Sequence, residues 1–180
     1  RWSEQRFDRD LPDFRALWGW SVAQTGEFWR AVQEYFDVLG DGFAEAPVLA
    51  DDTMPFADWF PGARLNFAEN VLRHAADPAL RHTPAIIQVS EDGEHDSLTW
   101  AELEAHVASV ARTLRELGVG PGDRVAAVLP NIPEAVIGLL AAASIGAVWT
   151  INSPDMSAEA SVRRIRQLEP KVLVAGDGYL

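Results

Sequence analysis

Two loops of this sequence combine small polar side chains with a position from which they could hold an anionic ligand. The loops are Pro130-Asn131-Ile132-Pro133 and Asn152-Ser153-Pro154-Asp155-Met156, and each follows a short apolar run that predicts a buried strand. Each also leads into a predicted helix, whose first N–H groups attract anions. Open α/β sheets bind ligands beyond the carboxyl ends of their parallel strands. Ordinary capping and turn chemistry would use the same residues, and at this point that alternative stays open.

Other patterns that could do chemistry are better explained as structure. The glycine-rich segment Gly118-Val119-Gly120-Pro121-Gly122-Asp123 follows a predicted helix and precedes a strand, the reverse of the order in a dinucleotide-binding loop, so it is predicted to be a turn. Arg163, Arg164 and Arg166 could grip a phosphate. On the helix predicted over residues 157–168, however, they fall mostly opposite Val162, Ile165 and Leu168, which favours a solvated face.

Metal and thiol chemistry have little support in the sequence. The chain has no cysteine, which excludes disulfides, thiol catalysis and thiolate ligands. Its four histidines, His74, His82, His95 and His106, have neither a helical i, i+4 pair nor a zinc spacing. Asp51-Asp52 lacks further carboxylates at ligand spacing. We therefore predict no metal site.

Hydrophobic periodicity predicts the elements that would position the two loops. From Pro84 onward, short apolar runs alternate with amphipathic helices, and an Asp92-Gly93 step predicts a hairpin turn between the first two strands. Strands are predicted over residues 85–89, 97–99, 125–129, 147–151 and 171–175. Strands and helices joined by crossovers of about 10 to 20 residues predict right-handed βαβ units in a mostly parallel sheet. The predicted fold class is α/β.

Local signals predict where the helices begin and end. Thr99 and Glu102 have the spacing of a capping box, and Gly118 is placed to stop that helix in a left-handed conformation. Asn131 is predicted to cap the next helix. The uncharged stretch Ala135–Trp149 predicts that this second helix is buried nearly all round.

The chain before residue 84 is predicted to be a lead-in to the sheet. Residues 13–40 have helical periodicity, and their aromatic residues Trp18, Trp20, Phe28 and Trp29 are spaced for core packing, which we favour over a stacking platform for a ligand. Residues 41–61 are predicted to be a loop and residues 65–74 a short helix. We predict a helical and loop segment over 1–75 and the first part of a larger domain over 76–180.

Charge and composition restrict the partners. A net charge of −12 repels nucleic acid and acidic lipid surfaces, so neither is expected as a partner. No apolar run reaches the roughly 18 residues of a membrane span. We expect a soluble, cytoplasmic protein. The chain begins at Arg1 and ends soon after a predicted strand, which we take to indicate a trimmed start and a cut end.

Several sequence blocks resemble the adenylate-forming superfamily of acyl-CoA synthetases. The segment from Trp59 to Asn70 resembles the entry to the main domain of acetyl- and acetoacetyl-CoA synthetases. Three further segments resemble successive superfamily blocks: Leu98–Leu103, Gly118–Val128 and Leu129–Ala135. Three other segments look most like the acetoacetyl-CoA branch: Gly146-Ala147-Val148-Trp149, Ser153-Pro154-Asp155 and Glu169-Pro170-Lys171-Val172-Leu173. The resemblance covers nearly the whole chain.

This resemblance implies a two-step reaction that needs ATP, CoA and Mg²⁺. A carboxylate and ATP give an acyl-adenylate and pyrophosphate, and the CoA thiol then displaces AMP. The family's phosphate loop ending in lysine, its adenine and ribose motifs and its catalytic lysine have no match here, so the resemblance predicts no catalytic residue and no tightly bound cofactor in this chain. In acetyl-CoA synthetases the loop matching Asn152 to Met156 lies near CoA, which makes four residues candidates for the CoA path: Asn152, Ser153, Pro154 and Asp155. The glycine pair usual in those enzymes is replaced by Pro154-Asp155, which weakens the correspondence.

The identity of the acid is open at this stage. Acetoacetate is the first choice, and acetate, propionate or another short-chain acid is the alternative. Expected partners are the small-molecule substrates and the remainder of the chain's own polypeptide. A non-catalytic α/β module that binds a nucleotide or a protein is an alternative of another class.

Overall fold

The computed structural model of the protein describes residues 2–44, 47–90, 93 and 95–177. The chain divides into two compact units, residues 1–65 and 66–180. The first unit is helical with one small sheet, and the second contains the βαβ elements. The predicted α/β class, with a helical lead-in before a parallel sheet, is confirmed.

The described residues of the first unit form three helices and a two-stranded antiparallel sheet. The helices are α1 (Trp2–Phe7), α2 (Phe14–Ala23) and α3 (Thr25–Tyr35), and the strands are β1 (Leu49–Asp51) and β2 (Asp58–Trp59). The sequence predicted neither α1 nor the two strands, because elements of two to six residues are too short to show a period. Asp13 caps α2 by accepting a hydrogen bond from the N–H of Ala16 at 2.8 Å.

The aromatic side chains of this unit pack on one another, as their spacing predicts. Trp20 is 6% exposed, and its ring lies 5.6 Å from that of Phe28, which in turn lies 5.6 Å from Trp29. Trp29 is still 44% exposed, so it lies at the edge of this packing, and Trp18 departs further from the prediction, because it is 57% exposed. It shares an uncovered side of α2 with Phe14 and Val22, at the four-residue spacing of one helix face.

The second unit opens with a short helix and a hairpin. Helix α4 (Phe67–Leu72) is capped by Asn66, whose Oδ1 accepts from the N–H of Ala68 at 2.9 Å, and a 3₁₀ turn (Arg73–Ala76) follows. Strands β3 (Pro84–Val89) and β4 (His95–Thr99) pair antiparallel, which confirms the predicted hairpin. Of its predicted turn, Glu91, Asp92 and Glu94 lie outside the described residues.

Helix α5 (Trp100–Glu116) begins with the predicted capping box. Thr99 Oγ1 accepts from the N–H of Glu102 at 3.3 Å, and Glu102 Oε2 accepts from the N–H of Thr99 at 2.8 Å. Its buried stripe is Leu103, Val107, Ala111 and Leu114. Gly118 follows with a φ of 82°, the left-handed conformation that ends helices. Leu117, the C-cap residue, lies outside this stripe and is 57% exposed.

A three-stranded parallel sheet forms the centre of the unit. Its strands are β5 (Arg124–Val128), β6 (Val148–Asn152) and β7 (Val172–Ala175), in the order β6-β5-β7. Val125, Ala126 and Ala127 in the central strand are completely buried. The parallel βαβ arrangement is the one that the alternation of strands and helices predicts.

Helix α6 (Pro133–Ser144) corrects two expectations. Its N-cap is Ile132, not Asn131, because a residue that precedes proline is held in extended conformation. The helix is also not buried all round, since Val136 is 40% and Leu139 is 37% exposed. The absence of charge after Glu134 thus reflects an apolar surface that nothing in the described part of this unit covers.

Helix α7 (Ala158–Leu168) lies on the other face of the sheet from α5 and α6. Trp149, Val172 and Val174 belong to the core that α5 and α6 cover. Arg124, which points to the opposite face, donates from Nε and Nη2 to the carbonyls of Leu168 and Glu169, both at 2.9 Å. The end of α7 is therefore tied to the start of the central strand.

Candidate functional site

The two candidate loops leave the same edge of the sheet. Register pairs Val128 of β5 with Asn152 of β6, and the N–H of Leu129 donates to the carbonyl of Asn152 at 3.2 Å. On the other side of β5, the N–H of Gly176 donates to the carbonyl of Val128 at 3.2 Å. The carboxyl ends of the three strands thus form one ledge, the position where open α/β sheets bind ligands.

In the first loop, residues 130–133, a backbone N–H group is already used by a turn within the loop. The N–H of Ile132 donates to the carbonyl of Pro130 at 2.9 Å, and Pro133 takes the first helical position, where a missing N–H is harmless. Asn131 is exposed and makes no cap. This loop therefore leaves fewer hydrogen-bond donors available to a ligand than its sequence predicts.

The second loop offers more polar surface. Asn152 is the last residue of β6 rather than a loop residue, and it is only 8% exposed. Ser153 and Asp155 are exposed, while Pro154 is half-buried. The N–H of Met156 donates to the carbonyl of Ser153 at 3.4 Å, which closes a turn. Exposed polar side chains therefore stand beside a buried amide at the ledge.

Helix α7 begins directly after this loop. Ser157 is its N-cap, and Ser157 Oγ accepts from the N–H of Ala160 at 3.3 Å. The N–H groups of the first turn that receive no such partner give this end a partial positive charge. The prediction that this loop leads into a helix N-terminus is confirmed, and that arrangement can attract an anionic group.

The Gly118–Asp123 segment is a structural turn, as its position predicts. Asp123 Oδ2 accepts from the N–H of Gly120 at 2.8 Å and from Lys171 Nζ at 2.9 Å. Lys171 Nζ also donates to the carbonyl of Gly118 at 2.6 Å. The bond from Lys171, with that from Gly120, lowers the pKa of Asp123. Lys171 is the only lysine in the sequence, and its ammonium group is hydrogen-bonded within this turn.

A cavity of about 340 Å³ lies elsewhere in the second unit, and the sequence gives no sign of it. It lies between the β3–β4 hairpin, α5, α6 and the sheet, and its lining is mostly apolar. None of the four predicted site residues lines it. The lining residues are Gln88, Asp96, Leu98, His106, Val110, Leu114, Pro133, Glu134, Ile137, Gly138, Trp149 and Val174.

Neither a membrane-spanning helix nor a metal-ligating cluster occurs among the described residues. No helix among them is both long and apolar enough to cross a membrane. Over the same residues, no group of three or more His, Asp or Glu side chains could hold a metal ion, so we assign no metal ligand.

Comparison with family models assigns two regions of the chain. Residues 67–179 match the model described as AMP-binding enzyme, and residues 14–71 match the model described as acetyl-coenzyme A synthetase N-terminus. The first of these covers well over half of the chain and includes the whole ledge.

Individual relatives and a solved structure agree with the family models. The acetoacetyl-coenzyme A synthetase of Rhizobium meliloti (strain 1021) is 42% identical over 99% of this chain and 26% of its own length. Malonamoyl-CoA synthetase vrtB of Penicillium aethiopicum is 35% identical over 98% of this chain and 25% of its own length. The structure of acetoacetyl-CoA synthetase from Streptomyces lividans superposes with a TM-score of 0.91 at 47% identity, over 99% of this chain and 27% of that one. This chain thus spans about a quarter of the length of the relatives it matches.

Proposed function

Because the chain belongs to the family of AMP-binding enzymes, we propose that it is the N-terminal part of an acid–CoA ligase that converts acetoacetate, ATP and CoA to acetoacetyl-CoA, AMP and pyrophosphate. The observation that carries this proposal is the similarity to acetoacetyl-CoA synthetases along 99% of the chain. The activity belongs to the complete enzyme, of which this chain would be about a quarter.

The reaction divides into two half-reactions. In the first, a carboxylate oxygen of the acid attacks the α-phosphorus of ATP, and pyrophosphate leaves. In the second, the sulfur of CoA attacks the acyl carbonyl, the bond to AMP breaks, and the thiol proton is lost to solvent or a base. Mg²⁺ would neutralise the phosphate charge in the first step, as phosphoryl chemistry requires. We assign it no ligand in this chain.

Within this chain, we propose a part of the CoA path at the second loop. Asn152, Ser153, Pro154 and Asp155 stand at the ledge, before the N-terminus of α7. Support comes from the exposure of Ser153 and Asp155 and from the buried position of Asn152. The groups that bind and activate ATP would lie in the rest of the polypeptide, since the single lysine, Lys171, is held in a structural turn.

The remainder of the polypeptide is the proposed partner of this chain. Parallel sheets are normally covered on both faces, yet Val148, Ile151 and Leu173 of the edge strands are 48%, 41% and 55% exposed. Val136 and Leu139 of α6 are exposed as well, which also indicates an apolar surface that the rest of the polypeptide would cover. We propose that the chain divides into a lead-in, residues 1–75, and the start of the main domain, residues 76–180. A cytoplasmic location is also part of the proposal, in keeping with the absence of cysteine.

A comparison of acids tests the proposal. The complete enzyme would be given ATP, Mg²⁺ and CoA with acetoacetate, acetate, propionate or malonamate, and the acyl-CoA formed would be measured. We expect kcat/KM for acetoacetate to exceed that for each other acid. A preference for malonamate would move the assignment toward the Penicillium relative, and a preference for acetate or propionate would overturn the acetoacetate assignment while keeping the ligase class. Absence of every acyl-CoA product would overturn the ligase itself.

A further inference from the structure

We propose that the cavity between the β3–β4 hairpin and the parallel sheet receives a basic side chain, arginine or lysine, from the part of the complete polypeptide that lies outside this chain. This inference rests on the proposed function, because it takes the chain to be part of a longer enzyme. It names the place and the chemistry by which the remaining polypeptide attaches. The cavity is separate from the ledge, since none of the four predicted site residues lines it.

The walls of the cavity are apolar. Its volume is about 340 Å³, and its lining includes Leu98 of β4, Ile137 of α6 and Trp149 of β6. The indole of Trp149 is held in place by α6, because it lies so close to the helix that a Cβ at Gly138 would be 3.0 Å from Cζ2. Protein interiors rarely leave voids larger than a water molecule. An apolar cavity of this size is therefore a place for side chains from outside the described residues.

Two carboxylates at the rim lack a cationic partner. Asp96 of β4 and Glu134 of α6 are exposed and line the cavity. Asp96 Oδ1 accepts from the N–H of its neighbour Ser97 at 2.7 Å, and within the described part of the chain neither carboxylate forms an ion pair. His106 lines the same cavity, yet it makes no hydrogen bond to either carboxylate among those residues.

The surroundings of these carboxylates favour an added positive charge. The start of α6 lies beside the hairpin, because Asp96 and Pro133 line one small adjoining pocket together. The first turn of α6 attracts the carboxylate of Glu134, but one helix end does not balance two charges. The whole chain has a net charge of −12. A cation at this rim would therefore be stabilised, whereas a further carboxylate would be repelled.

Two observations favour the remaining polypeptide as the occupant over a free ligand. This chain covers only 26% of the Rhizobium relative and 27% of the Streptomyces structure, so most of such an enzyme lies outside it. Val174 of β7 also lines the cavity, and among the described strands β7 pairs only with β5. The second edge of β7 is thus open to pairing with another segment. The cavity therefore borders a strand at which further polypeptide can attach.

A basic side chain with a long aliphatic stem satisfies both parts of the cavity. Its methylene groups would pack on the apolar walls while the charged end stays at the exposed rim. There the charge would pair with Asp96 and Glu134, and a cation is also attracted to the face of an indole such as Trp149. A purely apolar side chain would fill the cavity but leave both carboxylates without a partner.

Photo-cross-linking in the complete enzyme identifies the occupant. p-Benzoylphenylalanine is placed at Gln88, which lines the cavity from β3, and in a control variant at Ile87, which is 66% exposed on the opposite face of the same strand. Mass spectrometry then maps the cross-linked peptides. We expect position 88 to cross-link to a peptide outside residues 1–180 that contains arginine or lysine, and position 87 not to reach that peptide.

Hydrogen exchange measured by mass spectrometry tests the charge. In the complete enzyme, Asp96→Asn should raise the amide exchange rates of β3 about tenfold, the loss of one charge-assisted hydrogen bond. The same change should leave these rates unaltered in the 180-residue chain, because the basic partner is absent there. Asp96→Glu should keep the slow exchange of the wild type. Glu104→Gln, which removes an exposed carboxylate of α5 outside the cavity, should have no effect in either protein.

Four results would overturn the proposal. They are an equal effect of Asp96→Asn in both proteins, a cross-link confined to residues 1–180, a cross-link to a second copy, and no cross-link at all, which would leave the cavity to a free ligand. Formation of acetoacetyl-CoA by the wild type tests the proposed function separately. An active enzyme without the expected cross-link refutes this inference alone, and an inactive enzyme with it refutes the proposed function alone.

Discussion

Replacing Gly138 by alanine should destabilise the second unit, although alanine is the better helix former. Gly138 is buried in α6, where a Cβ would lie 3.0 Å from Cζ2 and from Cζ3 of Trp149 and nearer still to Cη2. Contacts this close require the indole or the helix to move, because core side chains are already close-packed.

Two opposing effects set the magnitude. Alanine in place of glycine stabilises a helix interior by about 1 kcal/mol. Forcing an extra methyl group into a packed core costs about 1 to 3 kcal/mol, and here the methyl group meets a rigid ring on three atoms, which favours the upper end. The net expectation is a loss of about 2 kcal/mol in the free energy of unfolding.

Urea unfolding of the 180-residue chain and a double-mutant cycle test this reasoning. Trp149→Phe removes the far end of the indole, so in that background Gly138→Ala should become stabilising by about 1 kcal/mol. Gly19→Ala in α2 is the matched control, because its Cβ would have no atom within 4 Å and should raise stability. A Gly138→Ala change that is the same in both backgrounds would refute the proposed clash.

Three further predictions concern the Thr99 helix cap, the turn held by Asp123 and the inability of the 180-residue chain to release pyrophosphate. Thr99→Ala should lower the free energy of unfolding by about 1 kcal/mol, whereas Thr113→Ala, on the same helix outside the cap, should change the urea midpoint little. The pKa of Asp123 is lowered from 3.8 by its bond to Lys171, so its contribution to stability is present above pH 3.8 and is lost as the pH falls through the lowered value. Asp123→Asn should flatten the fall in stability in that acid range, and an unchanged slope would contradict this. The 180-residue chain should release no pyrophosphate from ATP, Mg²⁺ and acetoacetate, and release above a denatured control would refute that expectation.

The strongly periodic elements could be predicted from the sequence, because each depends either on local hydrogen bonding or on the burial of apolar side chains. The capping box at Thr99 and Glu102 satisfies helix N–H groups locally, and the apolar stripe of α5 needs only a surface to cover it. The parallel sheet followed from the alternation of strands and helices. These features depend on neighbours within a few residues or on burial alone.

The remaining features depend on contacts between residues far apart in the sequence. Lys171 bonds Asp123, which lies 48 positions earlier in the sequence, and hydrophobic periodicity carries no information about such a bond. The exposure of Val136 and Leu139 could not be predicted, because the uncharged sequence from residue 135 to 149 does not indicate how much of the helix surface this chain covers. Single-residue differences also matter, since the N-cap of α6 is Ile132 and not the predicted Asn131, a consequence of the constraint that Pro133 places on the preceding residue.

The candidate site was predictable in place but not in detail. The carboxyl edge, the second loop and the N-terminus of α7 all follow from the order of elements. That Asn152 ends β6 and is buried, and that Arg164 reaches Met156, required the strand register and the direction of the side chains. The first loop had equal support from the sequence, but its own turn and its proline leave it fewer donors.

The most direct test of the central claim separates the two half-reactions at Ser153. Ser153→Trp in the complete enzyme places a bulky ring at the ledge, and Gln167→Trp, on the exposed distal part of α7, is the control for bulk. Exchange of pyrophosphate into ATP with acetoacetate reports adenylation, and the KM for CoA reports thioester formation. We expect Ser153→Trp to raise the KM for CoA or to slow thioester formation while pyrophosphate exchange stays near the wild-type rate. Equal loss of both half-reactions in a variant of normal stability would contradict it, and would show that the loop is only a structural turn.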